Sequence, residues 1–202
     1  SPKTQSGLLE CMQEARVTVD GASHALAAPF MVLATQNPIE YEGTYPLPEA
    51  ELDRFLFKAL VRYPEAAQER AILRAHDKGQ PLALVETLES FPAGTLEACA
   101  AEVDAVTVED SVLDYVVRIV EESRRSADLV LGASPRAGVH LLRAAKTAAA
   151  LEGRDFVTPD DVKALAIPTL RHRIVLRAEA EIEGRDADAV CKRVLARLDV
   201  PR

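Results

Sequence analysis

The spacing of hydrophobic residues changes character near Arg62-Tyr63-Pro64. Ahead of that point, short apolar runs are separated by turn residues. Thr4 to Ala15 carries Leu8, Leu9 and Met12 at helical spacing, which predicts a helix. Val17-Thr18-Val19 alternates and then meets Asp20-Gly21, a pair that favours a tight hairpin. Phe30-Met31-Val32-Leu33-Ala34-Thr35 is continuously apolar, the pattern of a strand covered on both faces in a parallel sheet. It stops at Gln36-Asn37-Pro38. A polar loop from Ile39 to Pro48, a short helical stretch from Glu49 to Asp53 and a second apolar run from Phe55 to Val61 follow.

From Pro64 onward the pattern is helical. Glu65 to His76 predicts one helix, closed by the breakers Asp77, Gly79 and Pro81, and Leu96 to Val103 predicts another. Thr107-Val108-Glu109-Asp110 offers a capping residue and first-turn acids to a helix with Val112, Val116, Ile119 and Val120 on one face. Ser134-Pro135 and Thr158-Pro159 each place a hydroxyl at an N-cap before a proline at the first helical position. Those helices are expected to run to about Leu151 and Thr169. Ile174-Val175-Leu176 suits a short strand, and Asp186 to Leu198 a last helix. The expected architecture is part of an α/β domain followed by a helical one.

Charge narrows the possible functions. The 202 residues carry a formal charge of −8, which argues against a binder that tracks nucleic acid without regard to sequence. Cys11, Cys99 and Cys191 are odd in number and far apart, suiting a reducing compartment rather than a disulfide framework or a zinc site. No apolar run approaches the roughly 18 residues of a membrane-spanning helix, and the opening SPKTQSG has no signal-peptide pattern. The expectation is a cytoplasmic protein. The histidines show no HExxH or comparable spacing, so no metal site built from side chains is expected. Arg171-His172-Arg173 is followed by Glu179, Glu181 and Glu183 and reads as a solvated face.

Three residues are candidates for chemistry. Asn37 stands where the apolar run ends, and in open parallel sheets ligands bind beyond that end of a strand. It either orients a water or a phosphate there or caps a turn before Pro38. Arg54 follows Glu49, Glu51 and Asp53, so it either makes a local ion pair or projects onto a phosphate carried by another subunit. Arg136 lies in the first turn of its helix, where the dipole disfavours a cation. Exposure, pairing with Asp128 or an incoming phosphate would each account for it. No GxxxxGK[ST] loop and no apolar strand ending in Asp-Glu occurs, so the chain by itself is not expected to hydrolyse ATP.

The segment from Ala34 to Phe55, ATQNPIEYEGTYPLPEAELDRF, resembles the signature of the MoxR family of AAA+ ATPases, relatives of magnesium-chelatase ATPase subunits. Pro2 to Ser6 resembles the stretch after the family's Walker B strand, Val17 to Gly21 its hairpin before sensor 1, Gly132 to Ala137 its sensor 2 motif, and Thr158 to Val162 a later lid helix. The resemblance implies an α/β P-loop NTPase core, present in its C-terminal portion only, followed by an all-α lid. Residues 1–62 would be the end of the core and residues 63–202 the lid. It further implies that Asn37 is sensor 1, Arg54 the arginine finger offered to a neighbour's nucleotide, and Arg136 sensor 2. ATP and Mg²⁺ would be the cofactors, both needing the upstream Walker segments. A homo-oligomeric ring, typically a hexamer, and a von Willebrand factor A domain protein would be the partners. The implied function is chaperone-like remodelling of other proteins. A DNA-remodelling motor is the alternative within the superfamily, but the hairpin tip Asp20-Gly21-Ala22-Ser23-His24 lacks Lys and Arg. A non-enzymatic interaction module is the other alternative.

Overall fold

A computed structural model of the chain describes residues 7–8, 11–12, 14–37, 47–77 and 89–201. The stretch from Pro2 to Ser6, most of the expected loop between Asn37 and Pro48, and the breakers Gly79 and Pro81 lie outside the described residues. Strands β1 (Arg16–Val19) and β2 (Ala22–Ala25) form an antiparallel hairpin. Asp20 and Gly21 both take positive φ at its tip, the backbone that such a two-residue turn requires.

The run from Phe30 to Thr35 departs from expectation. It joins no strand among the described residues, and Met31 and Leu33 are exposed. A strand covered on both faces needs neighbouring strands and helices, and none of the described elements lies in that relation to it. The run from Phe55 to Val61 is likewise not a strand.

Helices α1 (Glu49–Leu52), α2 (Ala66–Asp77) and α3 (Thr95–Ala105) have no buried residues. The hydrophobic core begins at Val106. Helix α4 (Asp110–Arg125) buries Val112, Tyr115, Val116, Ile119, Val120 and Ser123 along one face, and Arg124 and Arg125 complement its C-terminal dipole. Its N-cap is Glu109 rather than Thr107, whose hydroxyl instead donates to the Asp155 carbonyl. Strand β3 (Leu129–Leu131) pairs antiparallel with β4 (Val175–Leu176). Helix α5 (Pro135–Leu151) packs against α4 and against α6 (Pro159–Leu170), burying Ala137, Leu141, Ala144, Ala145 and Ala149. Small side chains on that face let the helices approach closely.

Thr158 and Asp161 form a reciprocal capping box at the start of α6, and Arg154 donates to both Asp161 carboxylate oxygens. Those donors hold the Asp161 carboxyl down at about 2. Short α7 (Ala178–Ile182) and α8 (Ala187–Ala196) close the core, with Asp128 gripped by Arg185 at 2.7 Å and Arg193 at 2.9 Å.

Two contacts place the start of α5. The Ala133 amide donates to Ser123 Oγ at 3.0 Å, and Arg124 Nε donates to the Ala133 carbonyl at 2.9 Å. Gly132 makes this approach possible: a Cβ there would stand 2.6 Å from the Arg124 Cα.

Candidate functional site

Ser134 sits at the N-cap of α5, yet its hydroxyl does not cap that helix. It reaches across to Asp53, at the C-terminal end of α1, with Oγ 2.9 Å from each carboxylate oxygen. Arg136 Nη1 donates to Asp53 Oδ2 at 3.2 Å, and Arg173 Nε donates to Oδ1 at 3.0 Å. One carboxylate therefore gathers a hydroxyl and two guanidinium groups from residues 81 to 120 positions further along the chain. Arg136 is accordingly paired with Asp53 and not with Asp128, whose oxygens serve Arg185 and Arg193.

The cluster Arg171-His172-Arg173 corrects the expectation of a solvated face. His172 and Arg173 are buried, and the three side chains clamp the backbone that follows Arg54. Arg173 donates to the carbonyls of Asp53 at 3.0 Å and Leu56 at 3.1 Å, and also to those of Phe55 and Thr169. Its Nη2 also meets His140 Nδ1 at 2.5 Å. His172 Nε2 lies 2.9 Å from the Phe55 carbonyl, and Arg171 donates to the Lys58 carbonyl at 3.1 Å while pairing with Asp188. The Lys58 amide in turn donates to the Pro168 carbonyl at 3.0 Å. Side chains from the end of α6 thus do for residues 53–58 what a β-ladder would otherwise do, satisfying their carbonyls without a neighbouring strand.

Burial controls the protonation of the imidazoles. Desolvation pushes His172 down to about 4, against the Phe55 carbonyl, which favours the charged ring; nearby Arg173 and Lys58 lower it further. His172 is therefore neutral near pH 7, carrying its proton on Nε2 toward Phe55. His140 is lowered as well, first by burial and then by the Arg173 charge, so that its Nδ1 accepts from Arg173.

Arg54 does not pair with the acids that precede it. Its Nε and Nη1 are enclosed and have no hydrogen-bond partner among the described residues. The side chain lines a cavity of about 640 Å³ whose walls include Phe30, Met31 and Val32 on one side and His140 and Arg143 of α5 on the other. Donors shielded from water and lacking acceptors are costly, and an anionic group such as a phosphate is what they fit. Asn37 is exposed at the end of the 30–37 segment and is not among the residues lining that cavity. The structure thus ties Arg136 to Asp53, the residue before Arg54. Among the described residues, no group of three or more His, Cys, Asp or Glu side chains could hold a metal ion, so no residue is assigned to Mg²⁺.

Residues 1–57 match the ATPase family associated with various cellular activities (AAA), and residues 121–194 match the AAA lid domain. Over all 202 residues the chain is 48% identical to the uncharacterized protein YeaC of Bacillus subtilis, covering 62% of that protein. It is 40% identical to the chaperone MoxR1 of Mycobacterium tuberculosis, with 99% of this chain aligned to 54% of that one. A crystal structure of a candidate ATPase from Cytophaga hutchinsonii superposes with a TM-score of 0.85 at 35% identity, covering 100% of this chain and 63% of the other. The chain belongs to the MoxR family of AAA+ ATPases. It spans between about half and two thirds of the length of these relatives. In this MoxR-family chain Asp53 and Arg54 fall in the part matched to the ATPase domain, whereas Ser134, Arg136 and Arg173 fall in the part matched to the lid. The Asp53 carboxylate is therefore a tie between ATPase domain and lid.

Asp53, Ser134 and Arg173 were not candidates in the sequence. A signal existed: Arg171-His172-Arg173 stands between the apolar stretches Ala164-Leu165-Ala166-Ile167 and Ile174-Val175-Leu176. Cations so placed cannot all face water, and they need acceptors brought from elsewhere in the chain.

Proposed function

We propose that this chain supplies the sensor, arginine-finger and lid parts of an ATPase that couples ATP binding and hydrolysis to chaperone-like remodelling of a partner protein. Residues 1–62 complete the α/β core and residues 63–202 form the lid. Asn37 orients the attacking water, Arg54 offers its donors to the phosphates held by a neighbouring subunit, and Arg136 grips a phosphate from the lid. Bound ATP with Mg²⁺ supplies the phosphoryl group that is transferred to water. A finger acting on a neighbour requires an oligomer, a hexameric ring in this reading, and a von Willebrand factor A domain protein is the companion that the family resemblance implies. The setting is the cytoplasm; among the described residues no helix is long and apolar enough to cross a membrane. The name of the Mycobacterium relative, a chaperone, supports protein rather than nucleic acid as the client. So does the acidic hairpin tip at Asp20-Gly21, where Arg16 donates to Ser23 at the hairpin's own side chains.

The observation that carries this reading is the pair of Arg54 donors Nε and Nη1, enclosed and without an acceptor among the described residues, one residue from the carboxylate that holds Arg136. The test is ATP turnover by the chain extended upstream to its natural start, compared with turnover by the 202-residue chain. Only the extended chain is expected to turn over. In that protein Arg54→Ala should reduce turnover by roughly 10³- to 10⁵-fold, as in other arginine-finger systems, while nucleotide binding stays nearly intact. Binding lost in the same proportion as turnover would remove Arg54 from the finger role.

A further inference from the structure

The four interactions around the Asp53 carboxylate are unequal. Arg173 is locked: its side chain is 0% exposed and is held by backbone carbonyls on two segments as well as by Asp53. Ser134 is fixed by its place at the head of α5 and touches both oxygens. Arg136 is the loose member, with the longest contact of the set at 3.2 Å and a side chain 42% exposed. An exposed pair of this kind is readily exchanged for another anion. Asp53 also occupies, at the first turn of α5, the place that the helix dipole and Ser134 prepare for negative charge. A carboxylate from the ATPase domain and a phosphate from a nucleotide would compete there for one guanidinium.

The position of Asp53 in the chain gives the competition a consequence. Arg54 is the next residue, and Phe55 and Leu56 beyond it are fastened to the lid through Arg173 and His172. Withdrawing Arg136 leaves the carboxylate to Ser134 and Arg173 alone and changes the charge balance beside the peptide that carries Arg54.

We propose that Asp53 is a positioning residue that couples Arg136 to Arg54: it holds Arg136 until a phosphate takes that guanidinium, and the exchange is transmitted to the adjacent Arg54. This rests on the functional reading above, because it takes Arg136 as a phosphate ligand. It adds a residue with a defined task and a direction to the coupling, from lid to finger.

The test uses the full-length protein and equilibrium binding of a fluorescent ADP analogue to the wild type, Asp53→Asn, Arg136→Ala and the double variant. Asn keeps an acceptor for Ser134 and loses the charge that competes for Arg136. Asp53→Asn should bind the analogue roughly two- to fivefold tighter, the range an exposed ion pair is worth. That gain should vanish in the Arg136→Ala background, and the single Asp53 variant should lose kcat without a rise in KM. Unchanged affinity in Asp53→Asn, or a gain that persists without Arg136, overturns the coupling while leaving the ATPase reading in place. A wild type that binds no nucleotide overturns both.

Should Asp53→Asn not fold, amide exchange decides the matter with Asp53 intact. Saturating nucleotide should change protection over Arg54 to Phe57 in the wild type and leave it unchanged in Arg136→Ala. An equal response in both proteins overturns the proposal.

Discussion

Removing the Asp53 side chain tests the domain–lid tie most directly. In Asp53→Ala the Arg173 guanidinium stays where it is, surrounded by the carbonyls of residues 53, 55, 56 and 169, but without a counter-charge. Stripping the partner from a buried ion pair costs about 3–5 kcal/mol. The lower part of that range applies here, because Asp53 keeps 17% exposure and the carbonyl dipoles remain. Arg136→Ala deletes a contact to the same carboxylate from a side chain that is 42% exposed, for about 0–1 kcal/mol. The two substitutions touch one cluster and should differ severalfold in stability. Urea denaturation followed by far-ultraviolet circular dichroism reads this without tryptophan, which the chain lacks. With an m-value near ~2 kcal/mol/M, the midpoint should fall by roughly 1.5–2 M for Asp53→Ala and by less than ~0.5 M for Arg136→Ala. Equal midpoint shifts would refute the assignment of Arg173 as the locked partner and Arg136 as the exchangeable one.

Two further predictions concern the lid. His172 is depressed to about 4 in the folded chain and titrates near 6.5 when unfolded, so protonation favours the unfolded state. Stability should therefore be full above about pH 6.5 and decline toward pH 4 by an amount of order 2 kcal/mol, with His140 adding to the decline in the same direction. The Asp161 contribution is lost only lower, as pH falls from its ordinary carboxylate range through about 2, so His172→Gln should flatten the upper window of a pH–stability profile and leave the lower one unchanged. Gly132→Ala places a methyl 2.6 Å from the Arg124 backbone and must push α4 and α5 apart, at a cost of about 1–3 kcal/mol. A thermal midpoint within a degree of wild type would show that the approach is not tight.

The lid was legible in the sequence because its signals are local and agree with one another. Val112, Val116, Ile119 and Val120 repeat at helical spacing, and Thr158-Pro159-Asp160-Asp161 spells its own cap. The hairpin at Asp20-Gly21 was legible for the same reason. The run from Phe30 to Thr35 has the composition of a strand, but a strand is made by its neighbours, which periodicity does not report. The candidate site was half legible. Arg136 betrayed itself by standing at the wrong end of a helix dipole, and Arg54 through the signature around it. Arg173 carried a sign in the apolar stretches on either side of it, but its partner Asp53 did not, since 120 residues separate them and their meeting is a property of how α6 ends against residues 53–58. Ser134 misled in an instructive way: its N-cap position was right, but the hydroxyl serves a distant carboxylate instead of its own helix.

Helix α5 is 17 residues long, which at the α-helical rise makes a rod of about 25 Å. Its head is held by Ser123, Arg124 and Asp53, its length is packed on α4 and α6 with Lys146 donating to the Asp104 carbonyl, and its far end at Leu151 reaches the same cavity that Arg54 faces. Packed in this way, the rod can tilt only together with the helices against it, and Ser134 is the point of that body nearest Asp53. A tilt of roughly 5° about Ser134 carries Leu151 through about 2 Å on a 25 Å arm, whereas His140, less than two turns from Ser134, moves by less than ~1 Å on its shorter arm. The wall of the cavity would open at its distal rim, at Leu151, and stay closed beside His140.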